Sequence, residues 1–285
     1  MSPRTLTVGI LGSGIMGSGL TEVAAKAGHA VIVRSRTLDR AQCVLVGLQK
    51  SLDKQVAKEK ITAEDRDAIV ARVRVTDQLD QLADCDLIIE NVVEDLATKQ
   101  ALFAEIDQVV KPQCVLATNT STLPVVEIAM ASGRPDRVCG IHFFNPAPLM
   151  KLVEIVAPIT ASDETMALAT EFANGCGKDT VEVADRAGFV VNALLFPYLN
   201  NAIRMFANGT ASMADIDTAM TGGCGFPMGP FALLDLVGLD TSLNILDALY
   251  AEFGDPNYAA VPLLRRMVAA SQLGRKSGRG FYDYS

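Results

Sequence analysis

The stretch Thr7-Val8-Gly9-Ile10-Leu11-Gly12-Ser13-Gly14-Ile15-Met16-Gly17 decides the fold of this chain. A short apolar run leads into Gly-x-Gly-x-x-Gly, and an amphipathic helical pattern and a second apolar run follow. This order of strand, glycine turn, helix and strand is typical of a dinucleotide-binding βαβ unit. The alternative is an ordinary strand-to-helix turn. We therefore predict a dinucleotide site near the N-terminus.

Each glycine of this motif has a separate task in such a site. Gly12 permits the tight turn, Gly14 lets the backbone approach a pyrophosphate, and Gly17 allows the helix to pack closely on the strand. The backbone amides at the helix start, at Ile15 and Met16, are expected to face the phosphates, where the helix dipole favours negative charge.

Residues 1–185 alternate short β-branched runs with longer helical patterns, which predicts a mostly parallel sheet covered by helices. The runs are apolar on both faces, as expected of strands that are covered from both sides. The predicted strands are Thr5–Leu11, Ala30–Arg34, Val73–Thr76, Leu87–Glu90, Val115–Thr118, Val138–Phe143, Leu152–Ile155 and Thr180–Val183. The predicted helices between them include Gly14–Ala27, Asp39–Lys58 and Leu96–Val110.

The pattern changes after Asp185-Arg186-Ala187-Gly188. From Phe189 onward the apolar residues have helical spacing and strand-like runs disappear. Helices are predicted at Thr210–Met220 and Leu233–Phe253, with breaks at Gly222-Gly223 and at Gly225-Phe226-Pro227. The sequence therefore predicts the α/β class, with a Rossmann-type, mostly parallel sheet domain at 1–185 followed by an all-α helical domain at 186–285.

Composition and charge narrow the functional classes. The chain has 285 residues, of which 49% are hydrophobic, and we expect two well-buried globular domains. No apolar run approaches the ~20 residues that a membrane span needs, so no membrane association is expected. The formal net charge of −8 argues against nucleic acid as the main partner. Six cysteines without paired spacing indicate reduced thiols in the cytoplasm, and neither a disulfide framework nor a metal site is expected.

The end of the second predicted strand bears on the choice of cofactor. An acidic residue normally stands here and holds the adenosine ribose of NAD, but this chain reads Arg34-Ser35-Arg36-Thr37. Guanidinium and hydroxyl groups suit a 2′-phosphate, whereas an aspartate would repel it. The alternative is a loop tip with solvated charges. We expect a preference for NADP(H) over NAD(H).

A further cofactor element is predicted after the fourth strand, in Glu90-Asn91-Val92-Val93-Glu94, because strand ends line the nucleotide crevice of such sheets. Val93 and Glu94, together with Lys99 on the next helix, are the candidate contacts. A surface ion pair between Glu94 and Lys99 at an exposed helix start is the alternative.

The chain has two histidines, and one of them lies in an unusual setting. His29 stands at the entrance to the second strand and is expected to be structural. His142 follows apolar residues, and Glu154 is a lone carboxylate inside the apolar run Leu152–Val156, where burial without a partner would be costly. A contact between the two would explain both. Such a pair orients and tunes a proton-transfer group, which together with the dinucleotide site indicates a hydride-transfer enzyme.

Seven motifs spread from end to end of the chain extend this interpretation. They are GSGIMG at 12–17, NTSTL at 119–123, HFFNP at 142–146, MKLVE at 150–154, DRAGFVVN at 185–192, GFPMGP at 225–230 and GRKSGRGFY at 274–282. In their joint occurrence the chain resembles the L-3-hydroxyacyl-CoA dehydrogenase family, and at this length most of all its single-function bacterial 3-hydroxybutyryl-CoA dehydrogenases. The segment with Arg34 and Arg36 departs from the family's NAD-using pattern.

The resemblance implies a dehydrogenase that interconverts acetoacetyl-CoA and (S)-3-hydroxybutyryl-CoA in fatty acid or butanoate metabolism. It implies His142 as the proton-transfer residue at the substrate's C3 oxygen, with Glu154 fixing the tautomer of the ring. Ser121 and Asn192 are expected to hydrogen-bond the reacting oxygens. From the residues alone, Ser121 could equally be a turn hydroxyl and Asn192 a polar group at a helix start.

The resemblance also implies supporting contacts. Asn119 and Asn145 are expected at the cofactor side of the pocket. The acyl-CoA substrate needs phosphate contacts, for which the resemblance favours Ser51 and Lys58. Lys54 and Lys58 stand one helical turn apart and could present one basic face, although surface lysines are usually just solvated.

Two other functional classes stay open on the residues alone. One is a dehydrogenase of a free hydroxy acid or sugar acid on a related scaffold, and the other is a non-catalytic dinucleotide sensor. A buried His–Glu pair favours the enzyme over the sensor. In the helical domain, apolar segments such as Met228–Val237 carry more hydrophobic surface than one small helical layer hides, and the resembled family commonly dimerises there, so a homodimer is expected.

Overall fold

The computed structural model describes residues 5–285 as two compact units, the first ending at Asp185 and the second beginning at Arg186. The first unit is an eight-stranded sheet with helices packed on it. Its strands are β1 Thr7–Leu11, β2 Ala30–Arg34, β3 Val73–Thr76, β4 Leu87–Glu90, β5 Val115–Thr118, β6 Val138–Phe143, β7 Leu152–Ala157 and β8 Asp179–Ala184. Its helices are α1 Ile15–Lys26, α2 Leu38–Val56, α3 Ala63–Ala71, α4 Leu96–Asp107, α5 Val125–Ala129 and α6 Asp163–Gly175.

The strand order of the sheet is β3-β2-β1-β4-β5-β6-β7-β8. Neighbouring strands run parallel except for β6 and β7, which are antiparallel. The chain leaves β1 towards β2 on one side, and β4 pairs with β1 on the other side. The carboxyl ends of β1 and β4 therefore border the crevice at which open α/β sheets bind their ligands.

The central strands are buried on both faces. Every residue of β4, β5 and β6 is buried, because helices cover the sheet from both sides. Along β1, Val8 and Ile10 belong to the core that also contains residues of α1, α2 and α6. Gly9 points the other way, where a Cβ would meet Ile88 and Leu82. The apolar runs of the sequence thus become doubly covered strands.

The second unit is all-helical in the part of the chain that the structure describes. Its helices are α7 Val191–Ala207, α8 Met213–Cys224, α9 Pro230–Val237, α10 Leu239–Phe253 and α11 Pro262–Ala269. They enclose a separate core with Phe231 and Leu246 at its centre, both at 0% exposure. Asp235, buried on α9, accepts the backbone N–H groups of Phe281 and Tyr282 at 2.9 and 2.8 Å and so ties the C-terminal segment to the helices.

The strand predictions for β2 to β6 agree with the observed bounds, and the other strands differ only at their ends. Four helix predictions are wrong in part. α4 ends at Asp107, before the predicted end at Val110. α2 ends at Val56, so Lys58 lies beyond the helix. The pair Gly222-Gly223 continues α8 instead of breaking it, and the predicted helix Leu233–Phe253 is divided at Gly238 into α9 and α10.

The cysteines fall into two groups. Cys43 and Cys224 are exposed, and all six cysteines are free thiols. Burial raises the pKa of the other four thiols to about 12, those of Cys85, Cys114, Cys139 and Cys176. Among residues 5–285, no helix has the combined length and apolar character needed to cross a bilayer.

Candidate active site

The antiparallel pairing of β6 and β7 brings the two unusual residues together. Its register sets His142 directly opposite Glu154, with both side chains on the same face. His142 Nδ1 lies 2.7 Å from Glu154 Oε2, and the two residues are 4% and 0% exposed. A carboxylate in this position stays compensated because the imidazole N–H donates to it. The structure therefore makes the contact that the sequence analysis anticipated.

This contact fixes the tautomer of the ring. An ionised carboxylate only accepts hydrogen bonds, so Nδ1 carries a hydrogen and Nε2 of the neutral ring is left as an acceptor. Nε2 lies 3.1 Å from Ser121 Oγ, which donates to it. The Phe144 ring packs against the imidazole, with the ring centroids 4.6 Å apart. A single orientation of His142 results, with Nε2 turned towards Ser121.

Asn119 joins the strand ends around this pair. Its backbone N–H donates to the Glu90 carbonyl at 2.9 Å, and its side-chain oxygen accepts the Phe143 N–H at 2.7 Å. The residue thus connects the carboxyl ends of β4, β5 and β6. Asn145 is exposed on the loop that follows β6, before a cis peptide bond to Pro146. The predicted cofactor contacts of both asparagines stay predictions.

The segment after β4 forms a network of charges instead of a surface pair. Lys99 is 1% exposed, and its Nζ lies 2.7 and 2.9 Å from the two carboxylate oxygens of Glu90 and 3.4 Å from Glu94 Oε2. The ion pair between Glu94 and Lys99 is therefore present and Glu94 is exposed, but the alternative is wrong for Lys99, which is buried. Val93 is exposed beside them. The roles of Val93, Glu94 and Lys99 towards a cofactor stay predictions.

The glycine turn after β1 fits a dinucleotide. At Gly12, φ is 108°, and an added Cβ would stand 2.5 Å from the Asn91 carbonyl oxygen. At Gly17 an added Cβ would stand 2.1 Å from the Gly12 oxygen, whereas at Gly14 it would meet nothing within 4 Å. The open space above Gly14 leaves room for a phosphate. Gly14 is the N-cap of α1, and no side chain caps its amides.

In the basic segment 34–37 after β2, some side chains are held by hydrogen bonds and others are exposed to solvent. Ser35 is buried, and its hydroxyl lies 2.8 Å from that of Ser13 in the glycine turn. Arg34 Nε donates to the Asp77 carbonyl at 3.2 Å. Arg36 is exposed next to the start of α2. These groups lie at the carboxyl end of β2, the edge that holds the adenosine ribose in such sheets.

The residues expected to bind coenzyme A are dispersed on the first unit. Ser51 is half-buried on α2 and donates to Glu22 Oε2 on α1 at 2.8 Å. Lys58 is exposed in the turn that follows the helix. Both contacts stay predictions. Asn192, the remaining predicted site residue, lies in the first turn of α7 in the second unit and is 8% exposed.

Sequence reasoning missed several polar residues that organise this edge of the sheet. Thr118 donates to Glu90 Oε2 at 2.8 Å, and Thr120 donates to Glu94 Oε1. Ser13 in the glycine turn was also missed, as was Glu22, which lies away from this edge on α1 and accepts a hydrogen bond from Ser51. The position of Thr118 and Thr120 at a strand end was a usable signal, whereas the partner of Glu22 depends on how α1 packs on α2.

Together, the glycine turn and the imidazole–carboxylate pair at the carboxyl edge of one sheet define a nicotinamide-dependent oxidoreductase of the Rossmann class. Residues 7–186 match the NAD-binding domain of 3-hydroxyacyl-CoA dehydrogenase, and residues 188–284 match the C-terminal domain of the same enzymes. The chain therefore belongs to the 3-hydroxyacyl-CoA dehydrogenase family, oxidoreductases that act on a CH–OH group.

Individual relatives agree with this family. A 3-hydroxybutyryl-CoA dehydrogenase of Mycobacterium tuberculosis is 47% identical over 290 residues, which cover 100% of both chains. The crystal structure of M. tuberculosis FadB2 has a TM-score of 0.96 and 46% identity, covering 99% of this chain and 100% of that one. The (S)-3-hydroxybutyryl-CoA dehydrogenase PaaH1 of Ralstonia eutropha has a TM-score of 0.96 at 39% identity, with the same coverage.

Proposed function

We propose that this chain interconverts acetoacetyl-CoA and (S)-3-hydroxybutyryl-CoA with a nicotinamide cofactor. The observation that carries the proposal is the buried His142–Glu154 pair, with Nε2 of the ring turned towards Ser121. The names of the M. tuberculosis and R. eutropha relatives support the same substrate.

The glycine turn at Gly12, Gly14 and Gly17 would hold the cofactor, whose nicotinamide would supply the hydride at the substrate's C3 atom or accept it. In the reducing direction the C3 oxygen gains negative charge, and His142, in the form that carries a hydrogen on both ring nitrogens, donates the Nε2 proton to it. Glu154 holds Nδ1 and stabilises the charged ring beforehand. Ser121 turns its hydroxyl from Nε2 to the same oxygen, since the two atoms are 3.1 Å apart and both reach one acceptor. Asn192 would supply a further hydrogen bond.

We further propose that NADP(H) is preferred over NAD(H). Arg36 is exposed beside the buried Ser35 hydroxyl, and no carboxylate occurs in the segment 34–37 to repel a 2′-phosphate. The Arg36→Ala variant is expected to weaken NADPH binding about tenfold, because a charge-assisted hydrogen bond is lost, and to leave NADH binding unchanged. Arg137→Ala removes an equal charge at the other end of β6 and is the control.

Steady-state reduction of acetoacetyl-CoA with NADPH and with NADH tests both proposals. We expect turnover with both cofactors and a higher kcat/KM with NADPH. Equal values, or a clear advantage of NADH, would defeat the cofactor preference alone. Free acetoacetate is the matched substrate control: turnover that does not need the CoA group would instead support a dehydrogenase of free acids.

Three further predictions belong to this proposal. Ser51 and Lys58 contact the CoA moiety of the substrate. The second unit helps to form the substrate cleft and mediates homodimer formation. The enzyme acts in the cytoplasm, in keeping with its six free thiols.

A further inference from the structure

Glu94 is bonded to the segment that carries Ser121. Its Oε1 accepts three groups from consecutive residues: the Thr120 hydroxyl at 2.5 Å, the Ser121 backbone N–H at 2.9 Å and the Thr122 backbone N–H at 3.3 Å. Hydrogen bonds to a charged acceptor are the stronger kind, and two of these bind the main chain itself. One carboxylate oxygen therefore fixes the backbone at Ser121.

The other oxygen of Glu94 faces a fixed cation. Glu94 Oε2 lies 3.4 Å from Lys99 Nζ. Lys99 is 1% exposed and is itself held by both oxygens of Glu90, which is fully buried at the end of β4. Glu90 in turn accepts the Thr118 hydroxyl at 2.8 Å, which connects it to the end of β5. The Lys99 ammonium is therefore fixed by contacts at the ends of β4 and β5 that do not depend on Glu94.

We propose that Glu94 is a positioning residue for Ser121, and that Lys99 acts as the buried anchor that orients Glu94. The Ser121 hydroxyl bonds His142 Nε2, so the line of contacts runs from Glu90 through Lys99, Glu94 and Ser121 to the proton-transfer atom. Without Glu94, the Ser121 amide loses its acceptor and the loop after β5 gains freedom. The inference rests on the proposed function in so far as Ser121 serves the reaction.

This role differs from a cofactor contact in what it predicts for kinetics. A residue that only binds the cofactor changes cofactor affinity, whereas one that aligns Ser121 changes the turnover of the saturated enzyme. A small misplacement of a reacting group lowers the rate on the order of 10- to 100-fold. We therefore expect Glu94→Ala to lower kcat at saturating NADPH by about that factor, whatever its effect on the Kd of NADPH.

Two companion variants sharpen the kinetic test. Glu94→Gln keeps an oxygen that can accept from Thr120, Ser121 and Thr122, and is expected to recover most of the lost kcat. Asp95→Ala removes the neighbouring carboxylate, which caps α4 through Thr98 and does not contact the Ser121 segment, and is the matched control with unchanged kcat. A Glu94→Ala loss confined to NADPH affinity, with kcat intact at saturation, would overturn the proposal.

A double-mutant cycle tests whether Glu94 acts through Ser121. If it does, Glu94→Ala has no further effect on kcat once Ser121→Ala is present. If the full factor persists in the Ser121→Ala background, the proposal is wrong.

The nitrogen spectrum of the two histidines provides a readout that needs no turnover. In ¹⁵N-histidine-labelled protein, the His142 Nε2 signal reports the hydrogen bond from Ser121, and His29 is an internal reference. We expect Glu94→Ala to move the His142 Nε2 signal in the same direction as Ser121→Ala does. An unmoved signal in Glu94→Ala overturns the positioning role. Absence of acetoacetyl-CoA turnover in the unaltered enzyme would instead overturn the proposed function, and the spectrum would still decide the role of Glu94.

Discussion

The His142 side chain is held from both sides, by Glu154 at Nδ1 and by Ser121 at Nε2. The ring therefore needs no reorientation before it transfers a proton. Because positioned acid–base groups contribute roughly 10²- to 10⁴-fold to a rate, His142→Gln is expected to lower kcat within that range. Cofactor affinity, measured separately by NADPH fluorescence, should stay unchanged. Turnover that survives this substitution would contradict the assignment of the proton-transfer residue.

The other histidine has a structural environment with a consequence for pH. His29 is buried, its Nδ1 accepts the Leu6 N–H at 3.1 Å, and its ring lies 5.3 Å from that of Phe172, centroid to centroid. Desolvation by burial lowers the pKa of His29 below its usual 6.5. The unfolded chain therefore takes up a proton at a pH where the folded chain does not.

The sign of the pH effect follows from this shift. Above pH 6.5 both states are neutral at His29, and as the pH falls below 6.5 the unfolded state is stabilised by protonation, so stability is lost. His29→Asn keeps an acceptor for Leu6 and removes the titration. The urea concentration at the midpoint of unfolding is expected to fall between pH 7.5 and pH 5.5. We expect this fall to be smaller in His29→Asn than in the original chain. An equal fall in both would show that His29 does not contribute.

At the scale of elements, the sheet could be predicted closely because its strands are short β-branched runs that helices cover from both sides. The ends of the helices were harder to predict from the sequence. Gly222 and Gly223 predict a break by composition, yet both lie inside α8, where the surrounding helix imposes its geometry. A glycine pair lowers helix propensity by only about 1 kcal/mol per residue, which neighbouring residues can outweigh.

Only part of the candidate site could be predicted from the sequence, namely the contact between residues of two neighbouring runs. His142 and Glu154 could be paired from sequence because each was anomalous in an apolar run and the two runs are adjacent in the chain. The partnership of Glu94 with residues 120–122 could not be predicted, because β4 and β5 must first align in the sheet before these side chains meet. The Glu22–Ser51 contact likewise depends on helix packing.

The glycines of α8 give a prediction at this scale. At Gly222 an added Cβ meets nothing within 4 Å, and the backbone is helical. Gly222→Ala is therefore expected to stabilise the second unit by about 0.5–1 kcal/mol, through a smaller loss of chain entropy on folding. The thermal midpoint, measured by calorimetry, should rise.

Gly225 is the matched control for this substitution. It caps α8 in the left-handed region, with φ at 70°, and also has open space around it. An L side chain is strained in that conformation. Gly225→Ala is therefore expected to lower the free energy of unfolding by about 1–2 kcal/mol, and the thermal midpoint should fall. A rise in Gly225→Ala would contradict the left-handed conformation of Gly225, and the absence of a rise in Gly222→Ala would contradict the stabilisation expected at Gly222.

At the scale of the whole molecule, the second unit exposes large apolar side chains that a monomer would leave in water. Leu194, Leu236 and Tyr250 are 72%, 51% and 45% exposed. We expect a homodimer, with a mass of twice 30.3 kDa by light scattering at micromolar concentration. A monomeric mass under these conditions would contradict the expectation, and Leu236→Glu is the variant expected to shift the equilibrium towards monomer.

The distribution of the thiols allows selective chemical labelling of the protein. Cys43 on α2 and Cys224 on α8 are exposed, one in each compact unit, while burial raises the pKa of the other four to about 12 and so keeps them unreactive near neutral pH. A maleimide fluorophore pair would therefore attach at two natural positions without any engineered cysteine. Each dye would then report the surroundings of its own unit when a ligand is added.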